Sequence, residues 1–205
     1  MATVLESVET APWVVKMPSS AVEMNDDQFF DFCQANRELR IERTAEGDIL
    51  LRSPTGVKSG QRNAIITMRL GIWAERDRKG VVFDSNAGFR LRNRAIRSPD
   101  AAWVLKSRLK RFSMAEQEKF LPLCPDFVIE LKSPTDRLAD LKKKLQEYID
   151  NGARLGWLLN PKARQVLVYR PGRAVEVLDH PEAVSADPEL PGFVLDVKGI
   201  WEPES

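Results

Sequence analysis

The stretch Pro125-Asp126-Phe127-Val128-Ile129-Glu130-Leu131-Lys132 decides the reading of this 205-residue chain. Bulky and β-branched residues dominate it, and Pro125 and Pro134 bracket it, so it reads as a strand. Side chains on a strand alternate between faces, which places Glu130 and Lys132 on one side and Ile129 and Leu131 on the other. A carboxylate and an amine on a buried strand are costly unless paired or used. These two therefore stand out from the other charged residues.

A second acid lies thirty residues upstream, in Pro99-Asp100. Pro125-Asp126 repeats the dipeptide on the strand itself. Asp126 is four residues from Glu130, about 13 Å at strand rise, too far to share a ligand with it. Its expected role is structural, at the strand entrance.

Around this strand the chain alternates strands and helices. Asn25-Asp26-Asp27-Gln28 has the form of a helix start. Strands are expected over 40–44 and 48–52, and Ser53-Pro54-Thr55-Gly56 breaks the chain. A long helix over 59–79 carries Ile65, Met68, Ile72 and Trp73 at helical spacing, with Gly80 as its stop. Residues 81–83, 89–91 and 100–105 read as strands, and 106–124 as an insertion with a short helix near Met114. A helix over 136–151, closed by Gly152, buries Leu138, Leu141, Leu145, Tyr148 and Ile149. Residues 155–159 and 165–170 form a hairpin, and short extended pieces follow near Val175 and Phe193. This pattern predicts one α/β (α+β) domain over 25–205 with a mixed sheet, preceded by an extended segment over 1–24.

Composition excludes several classes. With 43% hydrophobic and 30% charged residues the chain is of globular type. A formal net charge of +1 means that any nucleic acid must be held by a local patch. No apolar stretch is long enough to span a bilayer, so no membrane association is expected. Cys33 and Cys124 form no metal or disulfide pattern, and reduced, buried thiols fit a cytoplasmic protein. His180 is the single histidine and lies in a polar turn, which excludes two-histidine metal centres. No glycine-rich phosphate loop is present. The five tryptophans read as core or interface aromatics.

Asp100, Glu130 and Lys132 are the residue types that metal-assisted phosphodiester hydrolysis needs. Magnesium takes one or two carboxylates plus waters and substrate oxygens, and a nearby lysine offsets developing charge. Glu42 is the best candidate for a further acid.

Pro99-Asp100 followed by Glu130-x-Lys132 resembles the motif of the PD-(D/E)XK nucleases. The wider wording resembles the Uma2 family (DUF820) of restriction-endonuclease-like proteins, common in cyanobacteria. The matching stretches include Arg40-Ile41-Glu42-Arg43, Ser53-Pro54-Thr55-Gly56, Arg97-Ser98-Pro99-Asp100-Ala101-Ala102-Trp103, Gly156-Trp157-Leu158, Val168-Tyr169-Arg170-Pro171 and Leu190-Pro191-Gly192-Phe193. This resemblance implies a restriction-endonuclease-like fold, a mixed central sheet flanked by helices. It implies a Mg²⁺- or Mn²⁺-dependent endonuclease acting on DNA. Asp100 and Glu130 would bind the metal, Lys132 would be the catalytic lysine, and the superfamily's first acid would fall at or near Glu42. Glu42 reads here as strand rather than helix. Lys144 and Tyr148 match the family's Lys-x-x-x-Tyr, and their spacing puts them on one helix face, within reach of the site or a phosphate.

Arg90, Arg92 and Arg94 would share one face if their segment is extended and would then contact phosphates; a turn at Asn93-Arg94 breaks that alignment. By analogy with two-strand cutting, a homodimer is expected. The alternative to a nuclease is a nucleic-acid-binding or regulatory protein with a weak or vestigial site.

Overall fold

The computed structural model of the chain describes the backbone of residues 13–15 and residues 24–52 and 54–203 in full. Most of the N-terminal segment over 1–24, and Ser53 of the Ser-Pro-Thr-Gly break, lie outside the described residues. In chain order the elements begin with β1 (Trp13–Val15), α1 (Asp26–Ala35), β2 (Arg40–Arg43), β3 (Ile49–Arg52) and α2 (Val57–Asp77). Then come β4 (Gly80–Asp84), β5 (Phe89–Arg90), β6 (Ile96–Arg97), β7 (Ala101–Leu105), α3 (Lys106–Leu109) and α4 (Met114–Gln117). The remainder are β8 (Phe127–Leu131), α5 (Leu138–Asp150), β9 (Leu155–Asn160), β10 (Gln165–Tyr169), β11 (Glu176–Asp179), β12 (Ala183–Ser185), β13 (Val194–Asp196) and α6 (Lys198–Trp201).

The decisive strand is β8, buried along its whole length at the centre of a six-stranded sheet ordered β11-β10-β9-β8-β7-β4. It runs parallel to β9 and antiparallel to β7, so the sheet is mixed, with helices against it. Helix α5 makes the crossover that a parallel pair requires. A second sheet, β1-β3-β2-β6-β5, carries Glu42, and β12 and β13 form a hairpin of their own.

Alternation along the central strands separates two cores. Phe127, Ile129 and Leu131 of β8, with Leu155, Trp157 and Leu159 of β9, face α2 and the C-terminal residues Phe193 and Ile200. Val128 and Leu158 face the other way, against Leu141, Leu145 and Tyr148 of α5. Glu130 follows Val128 by two residues and so points toward α5. Gly156 permits this packing, because a Cβ there would stand 2.8 Å from Leu145 Cδ1.

Helix α1 starts as expected, with Asn25 and Gln28 forming a reciprocal capping box. Two expectations for α2 are corrected. The helix closes on Arg78, in the left-handed region at φ 59°, while Gly80 opens β4, where a Cβ would strike the Trp103 ring at 2.1 Å. Its buried ridge is Ile66, Leu70 and Ala74, whereas Met68 and Ile72 are 54% and 46% exposed. Both rows have helical spacing, and the sheet selects the one that ends in the small Ala74. Cys124 is buried, whereas Cys33 is only half-buried; both are free thiols. Trp103 and Trp157 are core residues, and His180 is exposed in a turn. Among the described residues no helix is long and apolar enough to cross a membrane.

Candidate active site

The β7–β8 register pairs Ala101 with Ile129, so the next step outward sets Asp100 opposite Glu130. Asp100 Oδ2 accepts the Leu131 N–H at 2.8 Å, which fixes its carboxylate across the strand end. Its Oδ1 faces Arg40 at 3.9 Å. The two acids open onto a groove of about 460 Å³ that Glu42, Arg52, Asp136 and Lys144 also line.

Glu42 projects from β2 into the same place and is 3% exposed. Helix α5 supplies the group that joins the acids. Lys144 Nζ lies 2.7 Å from Glu42 Oε1 and 2.8 Å from Glu130 Oε1, and also donates to the Ser98 carbonyl. One turn on, the Tyr148 hydroxyl donates to Glu130 Oε1 at 3.2 Å. The four-residue spacing of Lys144 and Tyr148 thus puts both side chains on one carboxylate.

Lys132 lies just beyond β8. Its amide extends the pairing to the Leu159 carbonyl, and its Nζ donates to the Ser133 carbonyl at 3.1 Å. It is 9% exposed and is not among the groove-lining residues. Lys144 contacts both Glu42 and Glu130.

Sequence reasoning missed four contributors. Arg97 donates to Glu42 Oε2 at 3.3 Å and to Glu147 Oε2 at 2.6 Å. The Ser98 N–H donates to Glu42 Oε1. Arg52 lies 4.0 Å from Glu42 and 3.5 Å from Asp136. Arg97 and Ser98 stand beside Pro99-Asp100, and Glu147 is one helical turn from Lys144; adjacency was the available signal. Arg52 had none, since its place depends on how the two sheets meet.

Electrostatics divides the acids. Burial pushes the Glu42 carboxyl up, but Lys144, Arg52 and Arg97 outweigh it and hold the group down at about 2. Glu130 is pushed up to about 7 by burial and by the like charges of Asp100 and Glu42, against the pull of Lys144. Asp100 is raised by burial, partly offset by the Leu131 N–H. Tyr148 is raised well above its ordinary value by burial beside Glu130.

Among the described residues no cluster of three or more His, Cys, Asp or Glu side chains has metal-binding spacing. The donor chemistry of Asp100 and Glu130 nevertheless fits a hard divalent cation, which is content with two carboxylates and completes its shell with water.

Arg90 and Arg92 do not reach this groove. Residues 91–95 form a turn, with the Leu91 N–H donating to the Ala95 carbonyl and Arg94 at φ 72°, so of the two conformations the sequence left open the turn is the one formed. Arg90 pairs with Asp26 at 2.7 Å. Asp126 fulfils its structural expectation: it is buried, accepts the Leu105 N–H at 2.9 Å and pairs with Arg108.

The sequence pattern of the Uma2 family, described as "Putative restriction endonuclease", matches residues 26–198. Among solved structures, the chain is similar to a "putative nuclease belonging to DUF820" from Anabaena variabilis ATCC 29413. The two share 23% identity over 78% of this chain and 89% of that one, with a TM-score of 0.69, a likeness of fold. No curated protein matches the chain.

Proposed function

The chain belongs to the Uma2 family, and from that premise we propose that it is a metal-dependent endonuclease hydrolysing phosphodiester bonds in DNA. The observation that carries this reading is the opposed pair Asp100 and Glu130 at a polar groove, with Lys144 2.8 Å from Glu130.

In this reading Asp100 and Glu130 hold Mg²⁺ or Mn²⁺. When bound, such an ion polarises the phosphoryl oxygen and lowers the pKa of its water. The chain's own groups do the rest. Glu42, kept ionised by Lys144, Arg52 and Arg97, anchors the Lys144 ammonium beside the metal-binding pair. Tyr148 orients Glu130 through its hydroxyl. Arg52 lines the groove, and its guanidinium matches a phosphate there in charge and geometry. Lys132, at the end of β8, is assigned to charge developing at the phosphate. Cutting both strands would take two such sites, hence a homodimer.

The alternative is a nucleic-acid-binding or regulatory protein with a vestigial site. It draws support from Lys144, which already supplies a counter-charge to Glu42 and Glu130. A cleavage assay separates the two. Supercoiled plasmid and single-stranded DNA are incubated with Mg²⁺, Mn²⁺ or EDTA, beside the Asp100→Ala protein. Metal-dependent nicking that the variant lacks establishes the nuclease. Tight binding without cleavage under any metal establishes the alternative.

A further inference from the structure

A second cleft, of about 400 Å³, shares no lining residue with the acidic groove. Five arginines line it, Arg90, Arg92, Arg94, Arg108 and Arg111, and no acidic residue does. In a chain of net charge +1 this is a marked segregation of charge. Two of the five are engaged, Arg90 with Asp26 and Arg108 with Asp126. Among the described residues Arg92, Arg94 and Arg111 have no acidic partner, and all three are exposed.

The cleft is built on a fixed turn. The Asn93 side chain donates to Glu147 Oε1 at 2.9 Å, and its N–H donates to Asn151 Oδ1 at 2.8 Å. Arg94 occupies the left-handed region at φ 72°, where glycine or asparagine is the relaxed choice. Gly152, at φ 113°, leaves room for Arg92, whose Nη2 would stand 3.2 Å from a Cβ there. These guanidinium groups are thus presented from a turn tied to α5.

Helix α5 also sets the cleft's relation to the groove. Lys144 lines the groove, and Asn151, just past the helix end, lines the cleft. Seven residues at 1.5 Å per residue separate the two by about 10 Å along the helix axis. Guanidinium forks match phosphate oxygens in geometry, and several on one surface fit a polyanion better than a single small ligand.

We propose that this arginine cleft grips the phosphodiester backbone of nucleic acid to one side of the bond held in the groove. The inference rests on the nuclease reading for the substrate class. It adds a binding element that lies outside the acidic site.

The test measures binding in EDTA, so that no cleavage intervenes. Fluorescence anisotropy follows a labelled DNA duplex of about 30 base pairs across about 50 to 300 mM KCl, for the parent and for Arg92→Ala/Arg94→Ala/Arg111→Ala. The expected result is a slope of log K against log salt shallower by about 2.7, three phosphate contacts at 0.9 each. The triple Arg→Lys protein, which keeps the charges, should retain most of the slope, and thermal midpoints check that all three proteins fold alike. An unchanged slope with intact parental binding overturns this inference and leaves the nuclease reading standing. No binding of DNA by the parent overturns both. If the alanine variant loses heparin binding and keeps its DNA slope, the cleft serves a different acidic partner, and the inference also falls.

Discussion

Lys144 Nζ stands 2.8 Å from Glu130 Oε1, with both side chains almost shielded from water, at 6% and 3% exposure. The same ammonium contacts Glu42, so one cation is shared between carboxylates from two different sheets. The pairing joins β2, β8 and α5 at the groove. It also makes Lys144 the least replaceable charge in the site.

Lys144→Met should therefore destabilise the protein strongly. Removing one partner of a buried ion pair leaves the other charge uncompensated and costs about 3–5 kcal/mol. Glu130 loses its close cation while Glu42 keeps Arg97 and Arg52, so the lower end is expected. Urea denaturation near pH 7.5 measures it, and a loss under 1 kcal/mol would show that the pair is solvated rather than buried.

Glu130→Gln should do the opposite above neutral pH. The Glu130 carboxyl is held at about 7 in the fold, against 4.5 for the free group. Its neutral form favours folding, so this contribution is complete below pH 4.5 and is lost as pH rises through 7. Glutamine keeps the shape and cannot ionise. The variant should gain up to about 3 kcal/mol over the parent at pH 8, with no gain at pH 4. Thermal midpoints across that range decide it, and a gain that is the same at both ends would rule out ionisation as the cause. In the nuclease reading the same change removes a metal ligand, so stability and cleavage should move in opposite directions.

Asp126 offers a control for the two Pro-Asp pairs. It accepts the Leu105 N–H and pairs with Arg108 at 2.9 Å, at the entrance to β8 and away from the groove. Asp126→Ala should cost about 2–4 kcal/mol, because a backbone donor and an arginine lose their acceptor. Affinity for Mn²⁺, measured by calorimetry on the folded variant, should stay at the parental value, whereas Asp100→Ala should lose it. Loss of metal affinity in the Asp126 variant would undo the separation of structural from functional aspartate.

The contrast between these aspartates marks what could be read in advance. Strand periodicity places Glu130 opposite in direction to Ile129 and Leu131, and the structure has it facing α5. The distance along a strand is enough to separate Asp126 from Glu130. Helical spacing places Lys144 beside the stripe of Leu141 and Tyr148, and its ammonium turns inward. Contacts between sheets were not legible in the same way. That Arg52, Arg97 and Lys144 all converge on Glu42 depends on how the β2 sheet meets the β8 sheet, which no local pattern encodes. For α2 the expected set Ile65, Met68, Ile72 and Trp73 placed only Ile65 and Trp73 against the core, and the packed sheet buries Ile66 and Leu70 instead of Met68 and Ile72. At Asn93-Arg94 the sequence left a turn and an extended face open, and the turn formed.

The two lysines can be told apart by experiment. Lys132 Nζ donates to the Ser133 carbonyl, while Lys144 holds Glu42 and Glu130. If Lys132 acts on the phosphate in the transition state, Lys132→Met should lower kcat and kcat/KM together, by 10²-fold or so, the scale of losing one preorganised donor. In this reading Lys132 acts on the phosphate rather than on the metal, so its Mn²⁺ affinity should match the parent. Lys144→Met should shift metal affinity as well as rate, since Glu130 loses its ammonium partner while Glu42 keeps Arg97. Single-turnover cleavage beside calorimetric titration separates these patterns. A Lys132→Met protein with parental turnover would overturn its assignment and pass the lysine's role to Lys144.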